Sequence, residues 1–464
     1  MKAALALFVL LFSARVFASG ELLSTLSDQK HVSVTIYNQN LALVKDERSI
    51  DLRKGKNRIA WRDVSAQIRP ETALFHANGE ALTPLEQNFD FDLLTPESLL
   101  QKYVGKEVEV IKTNPATGAE TRERATVLAA TNGIVLKYAD RIETGIPGRL
   151  AFSSVPDNLR DRPTLVVSFA SPGSGARDVE LDYLTGGLAW RADYVAELAA
   201  DDGKMDLDGW VTLTNTSGTS YRDATLQLVA GDVHRAENRL KQYESMQMRA
   251  APPVAAMASE SLLDYHLYTL DRPTTIEDRQ TKQVALLDAG NFPVKKEYLL
   301  RGDGYVYMEN FGGATNKLKV AVNLSFENRG GSLGIPLPAG VIRVYKKDGE
   351  GRPQFVGEDR IDHTPKNGEV TLKLGNAFDV TAERTRTDFS RIASNVYESA
   401  WRIVLHNAKS DAVTVRVEET LPGDWQILSE NLAHKKTGGS TAQWMVKVPA
   451  EGSAILDYRA RVKL

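Results

Sequence analysis

Apolar side chains recur at every second position in run after run of this chain. That is the period of a half-buried strand, whose residues face core and solvent in turn, and it dictates a mainly β fold. Val32, Val34 and Ile36 share one face of the run His31–Tyr37, and a second alternation at Ala42–Val44 continues to Ile50 and Leu52. The turn signal Lys54-Gly55-Lys56-Asn57 leads into Ile59 and Trp61, which predicts a meander of short strands. A length of 464 residues is enough for about two to four domains, each with its own core. No cysteine is present, which excludes disulfides, thiolate metal sites, a cysteine nucleophile and a lipidated N-terminal cysteine. The formal net charge of −3 offers no basic surface for nucleic acid.

The N-terminus reads as an export signal: Lys2, the apolar run Ala3–Phe12, then Val16-Phe17-Ala18 as a small-residue cleavage pattern, with cleavage expected after Ala18. The apolar run is shorter than the roughly 20 residues that cross a bilayer, and no later stretch reaches that length, so no integral membrane segment is expected in the mature chain. Export without cysteine points to a bacterial envelope, periplasmic or secreted, where a large core replaces disulfide staples.

An N-terminal β region is expected over 19–90. One helix is expected at Leu94–Tyr103: Thr95 caps, Pro96 suits the first helical position, Glu97 faces the positive end of the dipole and Gly105 ends it. The runs Glu107–Ile111, Ala125–Ala130, Ile134–Tyr138 and Leu150–Phe152, with turns at Asn114–Gly118 and Asn132-Gly133, predict a small β-barrel within 91–160. A β-sandwich is expected over 161–235, with strands at Leu165–Phe169, Val179–Leu184, Trp190–Leu198, Gly209–Leu213 and Ala224–Val229 and a hairpin turn at Asp201-Asp202-Gly203. The stretch 236–262, with Met246, Met248 and Met257 around Pro252-Pro253, reads as a mobile linker or insertion. In the C-terminal region, 263–464, strand runs ending in asparagine recur: Val211–Asn215, Val322–Asn328 and Ile403–Asn407. Asparagine suits such ends because it tolerates left-handed backbone and caps turns. Leu337-Pro338-Ala339-Gly340 and Leu421-Pro422-Gly423-Asp424 follow in two of the copies. The echo fits tandem β-sandwich modules of immunoglobulin-like architecture.

The segments Gly187-Leu188-Ala189-Trp190-Arg191-Ala192-Asp193-Tyr194, Gly209-Trp210-Val211-Thr212-Leu213-Thr214-Asn215 and Leu228-Val229-Ala230-Gly231-Asp232, with the closing run Val446–Gly452 to Leu456-Asp457-Tyr458, carry a family resemblance. The chain resembles domain-of-unknown-function family 4139, which includes mucoidy-inhibitor-like proteins, from about Thr164 to the C-terminus. The resemblance implies exported β-sandwich proteins and carries no catalytic residue over.

The local motifs favour structure over chemistry. Gly330-Gly331-Ser332-Leu333-Gly334 spells a nucleophile elbow, but Pro336 and Pro338 forbid the helix that would follow Ser332. Ser27–Lys30, Ser429–Asn431 and Lys436–Gly438 match fragments of the penicillin-recognising set at the wrong separations. The histidines, at 31, 76, 234, 266, 363, 406 and 434, show no metal-binding spacing, so chelation would have to come from folding. Glu358, Asp359, Asp362 and His363 read as a solvated strand edge. Asp201, Asp202, Asp206 and Asp208 lack the pattern of a calcium loop, and Arg301-Gly302-Asp303 reads as a turn. Of the tryptophans at 61, 190, 210, 401, 425 and 444, core packing is the default role, and an exposed subset would line a sugar-binding platform. No catalytic, cofactor or metal residue is assigned and no cofactor is expected. The expected function is a non-catalytic envelope module that binds protein or polysaccharide; the alternative is an envelope glycan or peptide hydrolase using carboxylates assembled by the fold.

Overall fold

The computed structural model describes residues 20–464 apart from 78–81, 91, 132, 147, 157–158, 232–258, 263–264, 308–314 and 332. The export signal, Asn132, Ser332 and the methionine-rich stretch therefore lie outside the described residues. Strands dominate, as the period-two pattern requires, and they pack face to face as sandwiches. No helix among the described residues is long and apolar enough to cross a membrane. The chain divides into two compact units, 1–189 with 214–227 and 272–280, and 190–213 with 228–271 and 281–464.

In the first unit, one sheet runs in the order Leu22–Ser24, Gly55–Arg62, Thr164–Ser171, Thr83–Asp90. A second places Gln29–Tyr37, Leu41–Leu52, Gly175–Thr185 and Leu74–Ala77 side by side. The alternation read at Ala42–Val44 and the Ile50 and Leu52 that follow it lie on the one strand Leu41–Leu52. Rings from the two sheets interlock: Phe75 lies 5.7 Å from Trp61 and 5.0 Å from Phe169. A charged pair is sealed inside. The Arg48 guanidinium donates to Asp46 at 2.7 Å, its plane lies 4.7 Å over Trp61, and Trp61 Nε1 donates to Asp46 at 2.8 Å.

The expected helix forms at Pro96–Lys102, with the Thr95 hydroxyl accepting from the Ser98 amide. Beside it lie the five strands Ile142–Thr144, Val135–Lys137, Glu120–Ala129, Glu107–Thr113 and Arg149–Ala151, in that order across one sheet. They enclose a small core of Tyr103, Val108, Val110, Val127 and Leu136. Among the described residues the first and last of these strands do not pair, so no closed barrel is seen.

In the second unit, a five-stranded sheet runs Gln280–Pro293, Lys204–Asn215, Leu188–Leu198, Gly340–Lys347, Pro353–Ile361. The turn read at Asp201-Asp202-Gly203 joins its second and third strands, with Asp202 at φ 60° and the Ala199 amide donating to the Lys204 carbonyl. A nine-stranded sheet is built around Glu369–Ala393, Val396–Asn407 and Gly452–Lys463. It wraps round a core in which Trp444 stacks on Tyr458 at 4.8 Å.

That core also holds a buried ion pair. Arg384 donates to Glu419 at 3.0 Å; Tyr307 donates its hydroxyl to the same carboxylate at 3.0 Å and lies 2.7 Å from the Tyr458 hydroxyl. The Arg384 plane rests 4.0 Å over Trp401. Burial opposes the charge on Arg384, but Glu419 holds its pKa above the ordinary value. Gly302 completes the enclosure. A β-carbon there would fall 2.0 Å from the Glu419 carboxylate, so the Arg-Gly-Asp letters end the strand Lys295–Gly302 where backbone must press on that carboxylate.

The recurring asparagines all prove to be buried staples. Asn215 donates to the Thr219 carbonyl and accepts from the Ser217 amide; Asn407 donates to the Asp411 and Pro449 carbonyls and accepts from the Lys409 amide. Asn328 spans a longer loop, donating to Ile335 and Pro365 carbonyls and accepting from the Gly334 amide. None of the three has positive φ, so the side-chain amide, not left-handed backbone, is the reason for asparagine.

Replacing Asn407 with alanine strands two carbonyls and an amide, and should cost about 2 to 3 kcal/mol in denaturant unfolding. Burial raises the Glu419 carboxyl and Arg384 opposes that rise, so Arg384→Met alone leaves a buried carboxyl without its cation and should cost about 3 to 5 kcal/mol, whereas Arg384→Met with Glu419→Leu should recover much of that loss. A double variant no more stable than the single one contradicts the pairing argument.

Candidate functional site

The strand Leu188–Leu198 alternates except at Asp193, which is buried as well, and the alternation sorts its residues into two roles. Trp190, Ala192 and Tyr194 are buried in the core; Arg191, Asp193, Val195 and Glu197 lie on the opposite face, where Arg191 and Val195 are exposed, Glu197 is half-buried and Asp193 is buried. Tyr194 is fixed by its neighbours. Its hydroxyl donates to the Pro338 carbonyl at 2.8 Å, and its ring edge lies 3.2 Å from where a β-carbon on Gly209 would sit and 2.9 Å from one on Gly340. Gly209 leaves room for this ring and for Leu287, and Gly340 leaves room for the ring and, more closely, for the Ala192 carbonyl of the paired strand, which accounts for the glycine before Trp210 and the one that ends Leu337-Pro338-Ala339-Gly340. The parallel register Ala192↔Gly340 sets this arrangement.

The outward face carries a row of polar side chains across all five strands. Gln283 donates to the Thr212 hydroxyl at 3.1 Å, Thr212 donates to Asp193 at 2.7 Å, and Arg343 donates to Asp193 at 3.2 Å. Arg343 also meets Glu358 at 3.2 Å, and Arg191 meets Asp193 at 3.0 Å. Burial disfavours the charge on Asp193, yet the Thr212 hydroxyl, Arg343 and Arg191 hold its carboxyl below the ordinary value of 3.8.

Beside this row the same face exposes apolar rings. Trp210 is 40% exposed, whereas the other five tryptophans are at most 8% exposed. Core packing is therefore the role of five, and Trp210 alone stands out. Val195, 39% exposed, lies on the strand next to that of Trp210, and Phe355, 55% exposed, lies on the edge strand Pro353–Ile361, three strands from Trp210, where it packs edge-on against Tyr345 at 5.6 Å. Rigid rings with hydrogen-bonding side chains alongside can hold a flat ligand by stacking and orient it by its hydroxyls or amides. Asp208, two residues before Trp210, has its carboxyl pushed up by burial and by Asp288 and Asp206.

The remaining motifs are absorbed structurally. Asp201 caps the Gly203 amide, Asp202 pairs with Lys296 and Lys346, and Asp206 accepts from the Asn291 amide, so the acidic run does not converge on one point. Asp359 accepts from the Lys373 amide and His363 from the Ala339 amide, as residues of a strand edge do. Glu430, the middle residue of the second penicillin-like fragment, accepts from the buried Trp444 and meets His434. A different histidine is drawn into a cluster. The register Glu180↔His76 places His76 Nε2 3.1 Å from Glu180, with Asp182 beside them. Sequence reading missed it because the residues are about a hundred positions apart; the only signal was the alternation of Glu180 and Asp182 on one strand face.

Because the folded pKa of Asp193 lies below the unfolded one, its contribution to stability is complete above the ordinary aspartate range. It is lost as pH falls through the folded value. Asp193→Asn should therefore unfold more easily than wild type at neutral pH and lose less stability on acidification, as read from urea midpoints across acid pH. Parallel curves would show that Asp193 is not held low.

Residues 179–464 match a family described as a domain of unknown function, DUF4139. The match takes in the strands that carry Asp193, Trp210 and Arg343, as well as the buried Glu419 pair. No curated protein matches the chain. By this match over more than half its length, the chain belongs to the DUF4139 family.

Proposed function

We propose that the protein is a non-catalytic binding module of the bacterial envelope, periplasmic or secreted, and that a polysaccharide strand lies on the outward face bearing Trp210. The observation that carries the reading is the exposure of Trp210 and Phe355 beside the locked row Gln283, Thr212, Asp193, Arg343 and Glu358. Sugar rings offer apolar faces to stack and hydroxyls to bond, and the exposed rings and the fixed polar row together meet both needs with little ordering cost. The export pattern at Lys2 to Ala18 supports the location. The Asp193 carboxylate is committed to three donors, which suits orientation of a ligand more than proton transfer.

A second reading, a glycan hydrolase, rests on Asp208: its carboxyl is pushed up while Asp193 on the same face is held low, the division of roles that acid-assisted cleavage uses.

Affinity electrophoresis of the full-length protein through gels containing envelope or capsular polysaccharide tests the first reading. Trp210→Ala and Phe355→Ala should each weaken retardation by about tenfold or more with unchanged circular dichroism. Unaltered retardation in both variants would falsify the proposed face. Release of reducing ends by wild type but not by Asp208→Asn would replace binding with hydrolysis, and retention of a protein in place of any glycan would change the partner class.

A further inference from the structure

The first unit holds a cluster that the binding face does not use. His76 lies on the short edge strand Leu74–Ala77, and Glu180 and Asp182 lie two positions apart on the neighbouring strand Gly175–Thr185, so both carboxylates share one face of the sheet. One donor atom from each of the three residues lies within 4.8 Å of the other two. His76 Nε2 and Glu180 Oε1 are 3.1 Å apart, close to the roughly 3.4 Å between two ligand atoms of a tetrahedral zinc with bonds of about 2.1 Å. One carboxylate of the set, on the half-buried Asp182, has an oxygen without a partner. Asp182 Oδ1 is sealed from solvent and accepts no hydrogen bond among the described residues, a state that an ordinary surface ion pair does not leave behind.

We propose that His76, Glu180 and Asp182 bind a single Zn2+ ion, three protein ligands leaving a fourth position open to solvent. One imidazole with two carboxylates is a borderline donor set that suits zinc better than calcium, which takes six to eight oxygens. The cation would supply the missing partner of Asp182 Oδ1 and neutralise two carboxylates held side by side. Lys45, opposite Asp182 in the register with Leu41–Leu52, is the positive group that competes with the ion. Glu180 and Asp182 fall inside the family match and His76 outside it, so the third ligand is a property of this chain's N-terminal part.

Isothermal titration of ZnCl2 into untagged, metal-stripped full-length protein at neutral pH tests this. One zinc should bind per chain, and His76→Gln and Asp182→Asn should each weaken binding by at least about tenfold, the size of losing one ligand bond worth 1.4 kcal/mol. Lys45→Met should tighten it. His76 is exposed, so His76→Gln is expected to keep the wild-type circular dichroism spectrum, which separates loss of a ligand from loss of fold. The proposal is overturned if wild type takes up no zinc, or if His76→Gln binds as tightly as wild type, which would place the ion at other histidines. It is independent of the glycan face: zinc binding should be unchanged in Trp210→Ala.

Discussion

Each sandwich core closes over an arginine that has no route to water. In one, Arg48 is bound by Asp46 and covered by Trp61; in the other, Arg384 is bound by Glu419 and covered by Trp401. Taking a guanidinium out of water costs several kcal/mol unless a carboxylate and an aromatic face replace the solvent, so these residues must arrive together or not at all. The rest of each core is built to that requirement. Gly302 gives up its side chain so that Glu419 fits, and Tyr307 and Tyr458 fill the remaining hydrogen-bonding positions. The surrounding valines and leucines exchange with modest penalties; the charged centre admits one register only.

Loops present the complementary difficulty, since a chain without cysteine must hold its strand ends by other means. Here the buried amides of Asn215, Asn328 and Asn407 do so, each joining two pieces of backbone that no sheet pairing satisfies. The device is local in sequence on one side and distant on the other, as the bond from Asn407 to Pro449 illustrates. Tyr194 plays the same part for the five-stranded sheet, its ring accommodated by Gly209 and Gly340 and its hydroxyl anchored at Pro338.

The strands were legible because alternation is written locally: Val32, Val34 and Ile36 are all buried, and the helix cap at Thr95 is where its hydroxyl predicts. The asparagine echo was legible as a pattern but not as a mechanism, because the carbonyls of Ile276, Pro365 and Pro449 come from other parts of the chain. The outward face was half visible. Trp210 and Asp193 stand in the segments that carry the family resemblance, but which tryptophan is exposed follows from strand phase relative to the core. Arg343 and Glu358 join them only through pairing across some 150 residues. The His76 cluster was beyond reach for the same reason, its members being brought together by register.

The parallel pairing of Leu188–Leu198 with Gly340–Lys347 has a kinetic consequence. Two central strands of that sheet are separated by well over a hundred residues, so the loop between them must close before Tyr194 finds its place, and contacts of such separation form late. Until then Leu188–Leu198, paired with Lys204–Asn215 on one side only, presents an unpaired edge that carries Leu188, Trp190, Tyr194 and Val195. Folding of this unit should be slow relative to its size and sensitive to anything that captures exposed strands.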